Sequence, residues 1–264
     1  MEDGKPTLVQ LDISHYSEKV RWALDLKEVP HRRRSPLPGS HIPIAFVLTR
    51  GESFTLPLLR LDGRTIADST AILAAIEQRW PQPPLYPTDP EQRRRALELE
   101  DFFDEELGPH ARLLPFHELT NEPAMFAEVA AAAVPGPLGK AKGALGLYAR
   151  TYTGLRFGVR DEAAAATARQ KIVAALDLLE AELGANGSGF LVGESFSVAD
   201  LTAAALFYPV VGPEEGPLPP EAPTPPALER FRAEIGGRPG YLWVEEMFRT
   251  RRHPAGVPAA GASL

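Results

Sequence analysis

Apolar and polar residues alternate in two different ways near the beginning of the chain. The apolar residues between positions 8 and 13 lie close together, which predicts a short strand. After them, Val20, Ala23 and Leu24 recur at helical spacing, which predicts a helix with one apolar face. Ser14 lies between the two patterns, where a hydroxyl side chain commonly caps a helix N-terminus. The pattern therefore predicts a strand and then a helix that begins after Ser14.

The next segments continue this mixture of strands and helices. Asp62-Gly63 separates two apolar runs, and this dipeptide favours the tight turn of a β-hairpin. Asp68 and Ser69 then provide capping chemistry for a further helix. The other predicted elements are strands at 31–35, 58–61 and 64–66 and a short helix at 42–48. The first eighty residues are therefore predicted to have the order β-α-β-α-β-β-α.

Residues 80–90 have neither a strand pattern nor a helix pattern. The segment WPQPPLYPTDP is rich in proline and is predicted to link two domains. Residues 1–80 would form the first domain, 81–90 the linker and 91–264 the second domain. The predicted fold class is an α+β N-terminal domain followed by an all-α C-terminal domain.

Apolar residues at helical spacing predict most of the helices in the second domain. Gly108-Pro109 is expected to interrupt the first helix, and residues 184–189 are expected to form a turn. Ser197 and Asp200 have the spacing of a capping box at the start of a later helix. Residues 138–150 have no clear pattern, and 251–264 are expected to be a frayed tail. The predicted helices cover residues 91–107, 123–133, 161–183, 227–235 and 241–249.

Composition narrows the class of protein. The net charge of −7 argues against a nucleic-acid-binding protein, since such proteins need a basic surface. The chain has no cysteine, which excludes disulfides, thiolate metal sites and a mechanism through a protein thiol. The polar N-terminus and the lack of a long apolar stretch predict a cytoplasmic protein that does not insert into membranes. Any sulfur chemistry would therefore need a sulfur atom supplied by a ligand.

Three features of the first domain carry candidate chemistry. Ser14 places a hydroxyl at a helix N-terminus, where the helix dipole and a donated hydrogen bond would stabilise a bound thiolate. Leu56-Pro57 opens a strand whose backbone can pair with a peptide ligand. Asp68-Ser69 offers a carboxylate and a second helix N-terminus to an amino-acid zwitterion. Together these features fit a small, acidic peptide that carries a thiol.

Each feature also has a purely structural interpretation. Ser14 can be only a helix cap, and base rates alone favour a trans bond at Pro57. A metal site at Glu106 and His110 is a weaker alternative, because acidic residues on such a helix usually form its solvated face. The sequence contains neither a Gly-rich phosphate-binding motif nor the Gly-x-Ser-x-Gly motif of serine hydrolases.

Four motifs occur in the same order as in a known family. They are SHYSEKVRWAL (14–24), TLPLL (55–59), DGRTIADSTAI (62–72) and SFSVADLTAA (195–204). Through these motifs the chain resembles the cytosolic glutathione transferases, in particular their serine-type members. The resemblance implies a thioredoxin-like N-terminal domain, an all-helical C-terminal domain, a homodimer and a cis bond before Pro57.

The resemblance also implies roles for the candidate residues. The Ser14 hydroxyl would hydrogen-bond the sulfur of glutathione, and Leu56, which precedes Pro57, would pair with the cysteinyl backbone. Asp68 and Ser69 would hold the γ-glutamyl end. Glutathione is thus the implied co-substrate, and no metal is implied.

Some neighbouring residues are candidates for supporting roles. Tyr16 is an alternative hydroxyl donor, and Arg50 or His41 is a candidate for binding the glycine carboxylate of glutathione. A related arrangement has cysteine at the position of Ser14 or Ser17. Because both are serine here, transfer through a mixed disulfide is not expected.

The function implied by the resemblance is activation of the glutathione thiol for attack on a hydrophobic, electrophilic small molecule, as in detoxification. The acceptor is expected in a cleft between the domains, with Phe102, Phe103 and Leu107 as candidate wall residues. Two alternatives stay open. One is a non-catalytic binding or scaffold protein with the same fold, and the other is a glutathione-dependent peroxidase, isomerase or dehalogenase.

Overall fold

The N-terminal part of the chain folds around a four-stranded mixed sheet. The computed structural model describes residues 5–132, 134, 139–218 and 222–252. The strands are β1 (Thr7–Val9), β2 (Arg32–Arg34), β3 (Leu58–Leu61) and β4 (Arg64–Ala67), in the order β2-β1-β3-β4. β1 and β2 are parallel, and the other two pairs are antiparallel.

The strand register brings several connections to one edge of the sheet. Val9 at the end of β1 pairs with Arg34 at the end of β2 and with Leu58 at the start of β3. Leu58 also pairs with Ala67 at the end of β4. The segments that follow β1, β2 and β4 and the segment that precedes β3 therefore leave from the same edge. The sequence-based expectation that these strand ends meet is confirmed.

Three helices cover the two faces of the sheet. They are α1 (His15–Leu26), α2 (His41–Leu48) and α3 (Ser69–Arg79). Since side chains alternate along a strand, Leu8 and Leu59 point to the face of α1 and α3. Val9 and Leu58 point to the other face and pack against Ala45 of α2. The predicted order β-α-β-α-β-β-α is confirmed, and the Leu56–Pro57 bond is cis, as the resemblance implied.

The rest of the described chain is helical. Its centre is α9, in which nearly every side chain is buried and which contacts α1, α4, α5 and α11. The Asp200 carboxylate accepts the backbone N–H of Ser197, which fixes the start of α9 as the capping pattern predicted. The helices are α4 (Pro90–Phe102), α5 (Gly108–Thr120), α6 (Pro123–Ala132), α7 (Lys142–Phe157), α8 (Glu162–Asn186), α9 (Val198–Val211), α10 (Pro226–Ile235) and α11 (Pro239–Arg251).

The expected interruption of the first long helix at Gly108-Pro109 is wrong. A π-helical turn, Phe103–Leu107, joins α4 directly to α5. Pro109 falls in the first turn of α5, where its missing N–H needs no partner. A Cβ atom at Gly108 would stand 2.2 Å from the Tyr16 hydroxyl. The glycine therefore permits a close contact with α1 instead of ending the helix.

Two other helix boundaries differ from the predictions. α8 continues through the first half of the expected turn and ends at Asn186, because Gly184 within a helix costs only about 1 kcal/mol. α7 includes much of the segment that had no clear pattern. Residues 253–264 of the expected tail lie outside the described residues. Among the described helices, none is both long enough and apolar enough to span a membrane.

Candidate functional site

A cavity of about 470 Å³ opens at the sheet edge where the connections meet. One side is formed by the N-terminal domain, including Ser14, His41 and Leu56. The opposite side is formed by α5, α6 and α7 and is mainly apolar. No Asp or Glu is among the described residues that line it. A cavity of this size and character can hold a small apolar molecule beside the Ser14 hydroxyl.

Ser14 is the N-cap of α1, as the sequence predicted. Its Oγ accepts the backbone N–H of Ser17 at 3.3 Å. The Ser14 hydroxyl hydrogen has no acceptor within the part of the chain that the structure describes. The side chain therefore caps the helix through its oxygen and keeps its hydrogen available to a ligand. An anion at this position would also meet the positive end of the helix dipole.

The loop that carries Ser14 is held in place from two directions. From α1, Arg21 donates from Nη1 to Gln10 Oε1 at 3.0 Å and from Nη2 to the Asp12 carbonyl at 2.8 Å. From α9, the Tyr208 hydroxyl donates to the Ile13 carbonyl at 3.2 Å. Both domains thus fix the loop before a ligand binds, and a preorganised donor is worth more than a mobile one.

Leu56-Pro57 and Asp68-Ser69 leave the same sheet edge as Ser14, since β3 begins where β4 ends. Leu56 lines the cavity, and its backbone makes no hydrogen bond in the described part of the chain. Asp68 Oδ1 accepts the N–H of Ala71 at 3.0 Å, and Asp68 has φ 73° and ψ 131°. A non-glycine residue in that region is strained, which is common at ligand sites. Pro57, Asp68 and Ser69 do not line the cavity, so their contacts with a ligand stay a prediction.

The structure separates the supporting candidates into different roles. The Tyr16 hydroxyl donates to the Asp104 carbonyl at 2.7 Å, and burial raises the pKa of Tyr16 well above its ordinary value. Ser17 is fully buried, and its Oγ accepts the N–H of Leu11 at 3.3 Å. The Tyr16 hydroxyl is therefore occupied by a structural hydrogen bond, whereas Ser17 is set apart by its burial and does not line the cavity. Arg50 is exposed and does not line the cavity, whereas His41 lines it.

Two further residues of this region, His15 and Arg112, are not marked by any of the sequence patterns. His15, next to Ser14, donates from Nε2 to the Gly108 carbonyl at 2.8 Å, so Nε2 is the protonated nitrogen. Burial lowers the pKa of His15 to about 3, so the ring is neutral at physiological pH and joins the two domains. Arg112 on α5 lines the cavity and lies over the Phe157 ring, 4.3 Å from its centroid. The sequence around Arg112 does not predict this contact, because Phe157 belongs to a different helix, α7.

The predicted acceptor wall is wrong. Phe103 and Leu107 are fully buried in the main core, and Phe102 packs against that core. None of the three lines the cavity, because their helix packs on α9. The apolar wall comes instead from the following helices, with Phe116 and Phe126 among its residues.

The weaker metal-site alternative has no support from the geometry. Glu106 forms an ion pair with Lys171, so its carboxylate already has a cationic partner. Within residues 5–132, 134, 139–218 and 222–252, no three His, Cys, Asp or Glu side chains are grouped so that they could hold a metal ion.

A thioredoxin-like domain with a cis proline, followed by a helical domain across a cleft, is the architecture of the cytosolic glutathione transferases. Residues 8–84 match the family "Glutathione S-transferase, N-terminal domain" and residues 162–234 match "Glutathione S-transferase, C-terminal domain". The two matches together cover more than half of the chain. The chain therefore belongs to the glutathione S-transferase family.

The individual curated relatives are similar to this chain at low sequence identity and over part of its length. Maleylacetoacetate isomerase of Mus musculus is 29% identical over 133 residues, which are 46% of this chain and 58% of that protein. The chain thus spans about half the length of the curated relatives that it matches first, 58% for the mouse protein and 51% for a Drosophila melanogaster relative.

Solved structures extend the similarity to the whole fold. A bacterial maleyl pyruvate isomerase, described as a zeta-class glutathione S-transferase, has a TM-score of 0.61 at 20% identity, covering 96% of this chain and 99% of its own. Maleylacetoacetate isomerase from Anaeromyxobacter dehalogenans, solved with dicarboxyethyl glutathione and citrate in its active site, has a TM-score of 0.56 at 20% identity, with 98% of each chain covered. At 20% identity, these similarities establish a shared fold.

Proposed function

We propose that this protein is a glutathione transferase that activates the thiol of glutathione through Ser14. The observation that carries the proposal is the Ser14 hydroxyl, which has a hydrogen to donate, lies at the N-terminus of α1 and faces an apolar cavity. A thiolate there would accept that hydrogen and interact favourably with the helix dipole. The acceptor would be an electrophilic small molecule bound against α5, α6 and α7.

The chemistry follows from the pKa of the thiol. A free thiol has a pKa of about 8.5, so most of it is protonated at neutral pH. Lowering that pKa by about one or two units would produce a large thiolate fraction. The thiol proton passes to solvent, the thiolate forms a C–S bond with the acceptor, and the leaving group departs with its bonding electron pair.

The remaining contacts of glutathione are proposed along the sheet edge. The free backbone of Leu56, before Pro57, would pair with the cysteinyl unit in the manner of an added strand. The α3 N-terminus at Ser69 would bind the γ-glutamyl carboxylate, and Asp68 its ammonium group. His41 is better placed than Arg50 for the glycine carboxylate, because only His41 lines the cavity.

Isomerisation is the second candidate reaction, and the names of the relatives favour it. The mouse protein and the Anaeromyxobacter dehalogenans protein are both called maleylacetoacetate isomerase. In such a reaction the thiolate adds to a conjugated double bond, the resulting single bond rotates, and elimination restores both the double bond and the thiol. Glutathione is regenerated, so the same Ser14 hydroxyl would serve both reactions.

We further propose the organisation implied by the family: a homodimer in the cytoplasm that acts in detoxification, with domains at 1–80 and 91–264 joined by 81–90. Light scattering at known concentration would measure the mass in solution. A mass of two chains supports the homodimer, and a mass of one chain contradicts it.

Asp68 provides the first test of the proposed glutathione site. Asp68→Asn keeps an oxygen that can cap α3 but removes the charge, whereas Asp68→Ala also loses the cap, which costs about 1 kcal/mol. We expect both variants to bind glutathione roughly tenfold more weakly, because a charge-assisted hydrogen bond to its ammonium group is lost. Isothermal titration calorimetry would measure the dissociation constants.

Asp62→Asn is the matched control. Asp62 also has a positive φ, 49°, but it lies in the β3–β4 turn at the opposite end of the hairpin. Glutathione affinity should be unchanged in this variant. Equal binding by Asp68→Asn and the wild type would remove Asp68 from the site. Binding by the wild type without turnover of any electrophile would favour the scaffold alternative.

A further inference from the structure

The acceptor side of the cavity contains two arginines without acidic partners. Arg112 and Arg156 both line it, and their guanidinium carbons lie 4.3 Å and 5.4 Å from the centre of the Phe157 ring. Arg112 Nε is buried and makes no hydrogen bond to any residue in the described part of the chain. Neither arginine forms an ion pair with any residue that the structure describes. Stacking on one phenylalanine is their shared contact.

The partly buried charge of Arg112 is unusual because it costs free energy, whereas Arg156 is exposed. Burying a charged group without a partner is expensive, and guanidinium groups in protein interiors are normally paired with carboxylates. Burial lowers the pKa of Arg112, and Arg156 acts in the same direction. Arg112 nevertheless stays charged at neutral pH, because arginine does not lose its proton in proteins. The cavity thus has a positive region within an apolar surface.

Glutathione is not the natural partner of Arg112. The proposed glutathione contacts follow the sheet edge of the N-terminal domain, whereas Arg112 belongs to α5 and packs on Phe157 of α7. Arg112 interacts electrostatically with His15 and Tyr16, and its charge acts to lower the pKa of each. The guanidinium itself stacks on Phe157, which belongs to the apolar wall of the cavity.

Resting on the proposed function, we infer that the acceptor substrate is an amphiphilic anion, with an apolar body against Phe116 and Phe126 and one carboxylate bound by Arg112. Arg156 adds a second positive charge beside the same ring. Arginine suits this role because its planar group can donate two parallel hydrogen bonds to a carboxylate. The pairing would also supply the counter-charge that Arg112 lacks.

The kinetic test compares two electrophiles that differ mainly in charge, 4-chloro-3-nitrobenzoate and 4-chloro-3-nitrobenzamide. In both, the thiolate forms a C–S bond at the chlorinated carbon and chloride leaves with the electron pair. We expect the wild type to prefer the carboxylate at least tenfold in kcat/KM, after division by the uncatalysed rates. In Arg112→Met the ratio of kcat/KM for the carboxylate to that for the amide should fall to about one, because the loss of a charge-assisted hydrogen bond accounts for about tenfold.

Arg150→Met is the matched control. Arg150 lies on α7 like Arg156, but it does not line the cavity, so the carboxylate preference should persist. Circular dichroism of each variant would show that it is folded. If the wild type uses both electrophiles equally and Arg112→Met does not change their ratio, the inference is overturned while the transferase function stands. A rise in the KM for glutathione alone in Arg112→Met would also overturn it.

A binding measurement separates the two proposals. Calorimetry with octanoate and octanamide tests the anion site without any turnover. We expect octanoate to bind at least tenfold more tightly than octanamide, and Arg112→Met to remove that difference. If neither aryl chloride is consumed but octanoate binding depends on Arg112, the transferase function fails and the anion site stands. Equal binding of the two octanoic derivatives would contradict the anion site.

Discussion

At the scale of single residues, Ser14 combines two roles in one hydroxyl group. Its oxygen accepts the Ser17 N–H and so caps α1, while its hydrogen is left for a ligand. The two roles use different atoms, so substitutions can separate them. Aspartate is an N-cap as good as serine but has no hydrogen to donate when ionised, and threonine keeps both functions.

We therefore expect Ser14→Asp to fold as stably as the wild type but to lose most of its activity, since its charge repels a thiolate. Ser14→Ala should lose about 1 kcal/mol of stability together with activity, and Ser14→Thr should retain both. The donated bond favours the thiolate, so its loss should raise the thiol pKa and move the acid limb of the pH–kcat/KM profile to higher pH. Unchanged profiles in Ser14→Ala would show that Ser14 is only a cap.

The role of a residue can be predicted from the sequence when that role depends on residues nearby in the chain. Ser14 and Asp68 were found because a cap is decided within a few residues of sequence. Arg112 was not found, since an arginine on a helix is normally a solvated residue. In the fold, Arg112 is partly buried and stacks on Phe157 of α7. That arrangement has no signal in the sequence around Arg112.

At the scale of elements, the same distinction explains which boundaries were predicted. The β3–β4 hairpin follows from Asp62-Gly63, whose positive φ angles of 49° and 78° this turn requires. The start of α9 follows from its capping box. The π-helical turn has no local signal, and Gly108 directly after it packs against Tyr16, a residue distant in sequence. Helix ends that depend on tertiary contacts are therefore beyond local patterns.

The end of α11 shows how distant elements support the site. Arg252, which follows α11, is buried and pairs with Glu18 and, at 2.9 Å, with Asp25 of α1. Glu18 also binds Arg21 at 2.6 Å, and Arg21 in turn holds the loop that carries Ser14. Two arginines together lower the pKa of Glu18 despite its burial. The last described turn of the chain is thus connected to the Ser14 loop through α1.

We expect Arg252→Met to reduce the free energy of unfolding by about 3 kcal/mol, the low end for a broken buried ion pair, because Glu18 keeps Arg21 as a partner. The free energy of unfolding of Arg252→Lys should lie between those of the wild type and Arg252→Met, since lysine keeps the charge but not the planar guanidinium group. The control Arg249→Met breaks an exposed pair with Glu246 and should cost less than about 1 kcal/mol. Urea unfolding would measure all three, and equal stability of Arg252→Met and Arg249→Met would contradict the prediction.

At the scale of the whole molecule, the two domains are joined by charges as well as by a shared apolar core. Lys19 of α1 is fully buried and lies 2.8 Å from Glu100 and 2.5 Å from Asp104. Thr70 of α3 donates to Asp104 at 2.7 Å. Glu100 Oε2 is buried, and among the described residues it has no hydrogen-bond partner. The contact therefore holds two carboxylates close together around one ammonium group.

The protonation of Glu100 should make the stability of this contact depend on pH. Burial raises the pKa of Glu100 above its ordinary 4.5, although Lys19 acts in the opposite direction. The folded protein therefore binds this proton more tightly than the unfolded chain. The stabilisation from this group is fully present below pH 4.5 and is lost as the pH rises through the folded pKa. Glutamine keeps the shape and an acceptor oxygen but does not titrate.

Glu100→Gln should accordingly gain stability relative to the wild type as the pH rises from 4.5 through the raised pKa of folded Glu100. Unfolding free energies from urea titrations at several pH values would measure this difference. Glu98→Gln is the control on the same helix, because Glu98 is exposed and paired with arginines that lower its pKa. A relative gain in Glu100→Gln that falls with rising pH would mean that Lys19 outweighs burial and that the domains are joined by a fully ionised cluster.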